Sequence, residues 1–569
     1  MPIREFNKVL YPQSQTHLLK DCKLVIDAQN YFYRMYEQSK LPHEAGCESD
    51  RFANHLKGEL SKFNKANVEC YFVFKGASQD AKKRLEKKAQ RNEKIASPVF
   101  RKSICKQVLD EMGFDYVTCE FESKQQCAAL ADKLGCPTMS NDIEFAMKSN
   151  SYVNYTTLKF NPGKNAIECK LLRFNTFLKK IGLSREKFAI FIMLTDENIF
   201  PSGYFSNLQQ KLKLQPNLTR KYLDLFKWLS ESQQQEAVDK ILEDFNDDDK
   251  KTILLKLEYA NSILTKQGPG IPSYYFLEKN KINVEEMDSQ WFEKGIACRY
   301  ISIPYIYLYH NYVMEGCWDF EDTSKPDAVL LSIDIIKYAL NLLTNYTQDS
   351  FNIRSINGEI NKFDTNIADV PKPNYPDCKV VFQNGWNNIT QYKLFEHFLK
   401  NTTKDVDWDI LLEFPGDARL LVIALIYVAH KSETWGVYEA FSVIASYAVL
   451  RNNNADKSNN CFGDSNPLAT HFSKKNIYNN EILHSLYQFQ HCLNQMNHLN
   501  ALCGFPFKPT IYSKTYNGTF VYNILIELKH AERDAYTQLT HLFQSQPTVV
   551  SCLKELTDTY NKIMPKINL

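Results

Sequence analysis

The chain has 569 residues, more than a single hydrophobic core organises, so at least two packed units are expected. Its 68 basic and 66 acidic residues leave a net charge of +2, so a nucleic-acid site must be a local patch, not a whole-molecule field. Glycine is scarce at 19 residues, and neither a GxxxxGK loop nor a GxGxxG turn after a strand occurs, which argues against a nucleotide-cofactor enzyme.

The chain begins MPIREFNKVLYPQ, without the apolar core of a signal peptide, and no later run of about 18 apolar residues predicts a membrane span. The 15 cysteines make no CxxC pair and no zinc-type Cys/His spacing. Reduced thiols in an intracellular protein, nuclear or cytoplasmic and without membrane attachment, are the expectation.

In the first 200 or so residues, short apolar runs alternate with helical stretches. CKLVIDAQN, ECYFVFKG, DYVTCEF, CPTMSND and FAIFIML have the length and density of buried parallel strands. DRFANHLKGELSKFNK, VFRKSICKQVLDEMG and SKQQCAALADKLG read as the helices between them. This rhythm predicts an α/β domain with a mainly parallel sheet over residues 1–205, in which ligands sit beyond the carboxyl ends of the strands. Residues 206–569 follow as a largely α-helical domain. TRKYLDLFKWLSES, QQQEAVDKILEDF, DDDKKTILLKLEYANSILTK, PDAVLLSIDIIKYALNLLTN and DARLLVIALIYVAHK all carry apolar residues at helical spacing. The stretch from Asn352 to Pro376 and the Asn-rich tract from Asn452 to Asn466 read as loops, and no 30- to 45-residue repeat is visible. His310, His430, His484 and His491 fall in helical context as core or surface residues, and Trp386, Trp408 and Trp435 read as packing of the helical domain.

The strand ends carry carboxylates: Asp27, Glu122, Asp142 with Glu144, and Asp196 with Glu197. Singly, an acid at such a position also serves to cap the next helix. As a set at one sheet edge they offer hard oxygen ligands for a divalent metal, and two ions about 4 Å apart can clamp both oxygens of a phosphodiester displacement.

The order and wording of these segments resemble the flap endonuclease/XPG nuclease superfamily, whose catalytic domain is PIN-like. ESKQQCAALADKLGCPTMSNDIEF is similar to that superfamily's internal motif. MPIREF, VIDAQNYFYRM, FAIFIMLTDENIFP, YQFQHCLNQMNHLNALCGFPF and NGTFVYNILIEL resemble segments of its asteroid branch, with residues 215–470 only loosely matched. The resemblance implies metal-binding acids at Asp27, Glu122, Asp142, Glu144 and Asp196 (or Glu197), with Mg²⁺ or Mn²⁺ as cofactor if the site is active. It also implies that Lys75 and Lys124 stand where two further acids belong, so two of seven expected carboxylates are lysines. Pro2 and Glu5 replace two glycines of the amino-terminal motif. Lysines in the cluster repel a dication, and can instead pair with the remaining acids.

After Lys75 the chain turns densely basic: Lys82, Lys83, Arg84, Lys87, Lys88, Arg91 and Lys94. One reading is a solvated helix; the other is a phosphate-contacting segment, as the resemblance implies for single-stranded nucleic acid passing under an arch. The resemblance also implies a helix-hairpin-helix that grips duplex and needs a Gly-rich turn after Asp196, where PSGYFSNLQQKLKLQPNL offers only Gly203. Two functions are thus expected. One is an impaired nuclease domain that binds single-stranded or structured DNA or RNA, or a protein partner, with a link to epidermal growth factor receptor signalling implied by the resemblance. The other is a Mg²⁺-dependent structure-specific endonuclease of DNA repair.

Overall fold

The computed structural model describes residues 3, 5–78, 98–264, 270–278, 291–315, 324–354, 360–365, 371–376, 378–383, 386–403, 406–452, 469–473 and 477–564. The chain folds into two compact units, each assembled from separated stretches. The first comprises Met1–Tyr31, Glu59–Lys75 and Phe114–Asn280; the second comprises Phe32–Gly58, Gly76–Gly113 and Lys281–Leu569.

The first unit is built on a sheet of eight strands: β1 (Gln15–Leu19), β2 (Cys22–Asp27), β3 (Val68–Phe74), β4 (Tyr116–Thr118), β5 (Thr138–Ser140), β6 (Tyr152–Asn154), β7 (Lys159–Asn161) and β8 (Ala166–Leu172). Their order is β1-β8-β6-β5-β2-β3-β4, with β7 paired to β8. The five strands from β6 to β4 run parallel to one another, whereas β8 is antiparallel to β1, β6 and β7. Leu24, Val25 and Ile26 of β2 and Phe72 and Val73 of β3 are fully buried, which accounts for their continuous apolar runs. Asp27 pairs with Val73 at the end of this central register, so the chain's first candidate acid leaves the sheet at its carboxyl edge.

The fifth expected strand is a helix. FAIFIML lies within Arg185–Thr195, whose Ser184 cap accepts the Lys187 N–H at 3.2 Å. A short, wholly apolar run cannot distinguish a buried strand from a buried helix by periodicity. Here the helix is buried on nearly every side, and Phe188 and Phe191 join a ring cluster with Phe6 and Phe226, Phe191 and Phe226 lying 4.7 Å apart. Asp196 therefore follows a helix, not a strand.

The second unit is largely helical. Val437–Asn452 is buried at every position from Glu439 to Leu450, as befits a central helix apolar all round. Early segments join this unit through specific bonds. Thr519 Oγ1 donates to Glu48 Oε1 at 2.6 Å, Asn517 Nδ2 donates to Asp50 Oδ1 at 2.7 Å, and Phe100 stacks on Tyr512 at 4.3 Å. The stretch read as a loop from Asn352 contains strand instead: β10 (Ser350–Arg354) pairs with β9 (Val313–Glu315) and β11 (Ile360–Asp364). Polar residues on alternate positions of an edge hairpin mimic a loop in composition. Most of the Asn-rich tract, from 453 on, lies outside the described residues.

Candidate functional site

The site grows from β2, whose last residue, Asp27, is buried at the sheet edge. Its neighbour β5 ends in Ser140, and Ser140 Oγ donates to Asp27 Oδ2 at 2.8 Å. The Asn30 N–H donates more weakly, at 3.4 Å, to Oδ1. Burial pushes the Asp27 carboxyl up to about 6, against the lowering pull of these bonds. Past β5 the chain turns. Ser140 Oγ accepts the Asp142 N–H at 3.1 Å, and Asp142 Oδ1 accepts the Glu144 N–H at 3.0 Å. This local turn opens the short helix Glu144–Lys148 and fixes both acids.

Lys124 is the first residue of the helix Lys124–Leu134. Its ammonium sits between the second acid pair, 2.6 Å from Asp142 Oδ2 and hydrogen-bonded to Glu144 Oε2. Burial works against that charge, but Glu144 and Asp142 together hold Lys124 above the usual lysine range. Asp142 shows the converse: burial raises it, and Lys124 more than offsets the rise, leaving the carboxyl below its ordinary value. Lys75, just beyond β3, donates to Glu122 Oε1. With Glu122 48% exposed, that second pair is a rim contact of little energetic weight, so the Lys124 clamp decides the character of the site.

Asp196 is buried and accepts the Asn198 N–H at 2.9 Å. Burial raises its carboxyl, and Glu144 adds repulsion, so the two acids share one field. Glu197 instead lines a small cavity with Phe200 and Lys221. Lys148 was missed in the sequence. It is buried, donates to the Ile263 carbonyl at 2.8 Å, and its ammonium is pulled down by burial while Glu144 and Asp142 support it. The signal was present in the Glu144-to-Lys148 spacing of four on one helix. Ser140, unremarked in CPTMSND, joins Asp27 to Asp142 through the bonds above.

Asp27, Lys124, Asp142, Glu144 and Asp196 are thus brought together, and Glu122 with Lys75 forms an adjoining pair. Five acids and two lysines leave a net charge of −3 where seven acids would carry −7; Lys148 makes it −2. A site for Mg²⁺ needs several free oxygens at about 2.1 Å in octahedral array. Here an ammonium takes one oxygen each of Asp142, Glu144 and Glu122, the other Asp142 oxygen accepts the Glu144 N–H, and both oxygens of Asp27 accept protein donors. Among the described residues no three His, Cys, Asp or Glu side chains are grouped to hold a metal ion. The residues in this arrangement do not fit a divalent metal. The basic stretch Lys82, Lys83, Arg84, Lys87, Lys88, Arg91 and Lys94 lies outside the described residues. No described helix is long and apolar enough to cross a membrane.

Two family models match the chain: the XPG N-terminal domain over residues 1–96, and the Asteroid N-terminal domain over residues 457–569. The single-strand DNA endonuclease ASTE1 of Danio rerio is 26% identical over 145 residues, 23% of this chain and 21% of that protein. Protein asteroid of Drosophila melanogaster is 26% identical over 155 residues, 25% of this chain and 18% of that protein. The match therefore spans about a fifth of either relative. Among solved structures, the catalytic core of Rad2 in complex with DNA substrate aligns with a TM-score of 0.32 at 16% identity, covering 49% of this chain and 94% of that one. The chain is thus similar to XPG nucleases over residues 1–96 and to asteroid proteins over residues 457–569.

Proposed function

We propose that this chain is a nuclease-like, DNA-binding protein in which lysine ion pairs have taken over the metal site, leaving catalysis impaired. The observation that carries the reading is Lys124 Nζ lodged between Asp142 and Glu144. A fixed monovalent ammonium supplies the counter-charge of a metal but neither its Lewis acidity nor its bound hydroxide. In this reading residues 1–205 are the nuclease-like module, residues 206–569 the helical one, and the basic stretch from Lys82 to Lys94 contacts phosphates. The protein would work in the nucleus or cytoplasm. If the epidermal growth factor receptor link implied by the asteroid resemblance holds, a protein would be the ligand in place of DNA.

The test is incubation of the full chain with flap, 3′-overhang and single-stranded DNA in Mg²⁺ and in Mn²⁺, beside Asp142→Ala. The proposal expects binding without cleavage above that control. A second reading, an active Mg²⁺-dependent endonuclease of single-stranded or overhang DNA, is favoured by the five retained acids. Cleavage that vanishes in Asp142→Ala would establish it and end the first.

A further inference from the structure

The sheet of the first unit has two edges, and they differ. β4 at one edge has three residues, all buried. β1 at the other has five, of which Gln15, Thr16 and Leu18 are exposed, Leu18 at 44%. β1 pairs with β8 over five unbroken positions, from Gln15 opposite Leu171 to Leu19 opposite Ile167. Beyond that ladder, no backbone N–H or carbonyl of β1 has a hydrogen bond among the described residues.

An edge strand offers its outer row of N–H and carbonyl groups to another chain, and folded proteins ordinarily block that row with a charge, a proline, a bulge or a cover. Within β1 there is no acidic or basic chain, no proline and no bulge: its residues are Gln, Thr, His, Leu and Leu, in continuous register. Burial, then Arg173, hold the His17 imidazole below its ordinary value, so the strand is uncharged at neutral pH.

The surface around this edge is positive. Antiparallel partners share a face, so Thr16 lies beside Lys170 and Leu18 beside Glu168, with Lys159 of β7 opposite Glu168 in turn. Lys170 Nζ donates to Thr16 Oγ1 at 2.9 Å, and Lys20, two positions beyond Leu18, is exposed. The nearby acids are engaged: Glu168 with Lys164 at 3.8 Å and Asn161 at 3.1 Å, Asp21 with Asn67 at 2.8 Å. Among the described residues Lys20, Lys159 and Lys170 form no ion pair. A nucleic acid would use these charges and leave the backbone row unused, whereas an extended acidic peptide uses both.

We propose that β1 receives an extended acidic segment of a partner protein as a further strand, with an apolar side chain against Leu18 and carboxylates two positions to either side, facing Lys170 and Lys20. Alternation sets that spacing, because residues i and i+2 of an added strand share one face. The assignment goes beyond the DNA-binding reading above and stands without it.

The experiment measures, by fluorescence anisotropy, binding of the full chain to a labelled heptapeptide, Thr-Glu-Thr-Leu-Thr-Glu-Thr. Binding is expected, and it should weaken as salt rises. Lys20→Glu with Lys170→Glu should cost roughly tenfold or more, and should transfer binding to the same peptide with lysine in place of glutamate. That transfer also shows the variant to be folded. Successive N–H groups of a strand point to opposite sides, so N-methylation of the peptide at its leucine or at the next threonine should abolish binding in one case and spare it in the other. A peptide that does not bind, that tolerates either N-methyl group alike, or that stays bound after the double reversal would overturn the proposal. A dimer in sedimentation that Leu18→Lys disperses would give the edge to a second copy of the chain. Oligo(dT) binding lost in the double reversal, with the peptide inert, would give it to nucleic acid. Either result ends the peptide assignment.

Discussion

Replacing Lys124 with Met removes the ammonium that contacts both Asp142 and Glu144 while keeping most of the side chain's bulk. The Lys124–Asp142 contact is 2.6 Å, and the three side chains are 28%, 25% and 15% exposed in the order Lys124, Asp142, Glu144. At an effective dielectric of about 20, one such contact is worth roughly 6 kcal/mol before desolvation is subtracted. Breaking a fully buried pair costs about 3–5 kcal/mol and an exposed one less than about 1, so these partial exposures place the loss at about 2–3 kcal/mol. Urea unfolding at pH 7 measures it. Adding Asp142→Asn and Glu144→Gln should recover most of the loss, since the repelling charges are then gone. Lys124→Met also frees the carboxylates for a cation, so Mg²⁺ at ten times its Kd should restore about 1.4 kcal/mol. Wild-type protein should not respond. Equal stabilisation of wild type by Mg²⁺, or a loss below about 0.5 kcal/mol in the variant, would refute the view that Lys124 replaces the metal.

Three further outcomes are expected. Lys75→Asp with Lys124→Asp rebuilds the full acid set and should bind Mn²⁺ measurably by calorimetry where wild type does not; absence of a heat signal would mean the lysines are not the lesion. Asp27 is held at about 6 against an ordinary 3.8, so its buried charge costs up to about 3 kcal/mol above pH 6. Because the folded value is the higher one, this stability is present at low pH and is lost as pH rises from about 4 to 6. Asp27→Asn should therefore stabilise the protein at pH 7 and remove that slope in thermal unfolding; a destabilised variant would contradict the assignment. At Gly295 a Cβ would lie 2.3 Å from Trp386 and 2.6 Å from Ile301, so Gly295→Ala should lower stability by about 1–3 kcal/mol despite better helix propensity, and shift tryptophan fluorescence.

The parallel centre of the sheet was legible because β2 and β3 are buried on both faces and read as unbroken apolar runs. The antiparallel side was not: β7 has three residues, too few to show a period. The helix Arg185–Thr195 has the opposite problem, being so uniformly apolar that no period remains in it to read. At the site, charge type could be read residue by residue, and Lys75 and Lys124 stood out as ammoniums among acids. Pairing could not be read. Lys124 reaches forward over 18 and 20 residues to Asp142 and Glu144, and Lys148 to a carbonyl 115 residues away.

Carboxylates clustered in a partly buried site repel one another unless a proton or a cation intervenes. Protonation is one remedy, and Asp27 at about 6 goes part of the way. A tethered cation is the other, and Lys124 supplies it to the two acids that stand on one turn, Asp142 and Glu144. On the proposed reading that remedy would make the site's stability independent of free divalent ion, while fixing the counter-charge at one and leaving no open coordination position for hydrolysis. Nor does Lys124 replace that chemistry as a base: the acids that hold it raise its proton affinity further, so it stays an ammonium throughout the neutral range. On the proposed reading, the same ion pairs that stabilise the site would also account for impaired catalysis, with no separate cause needed.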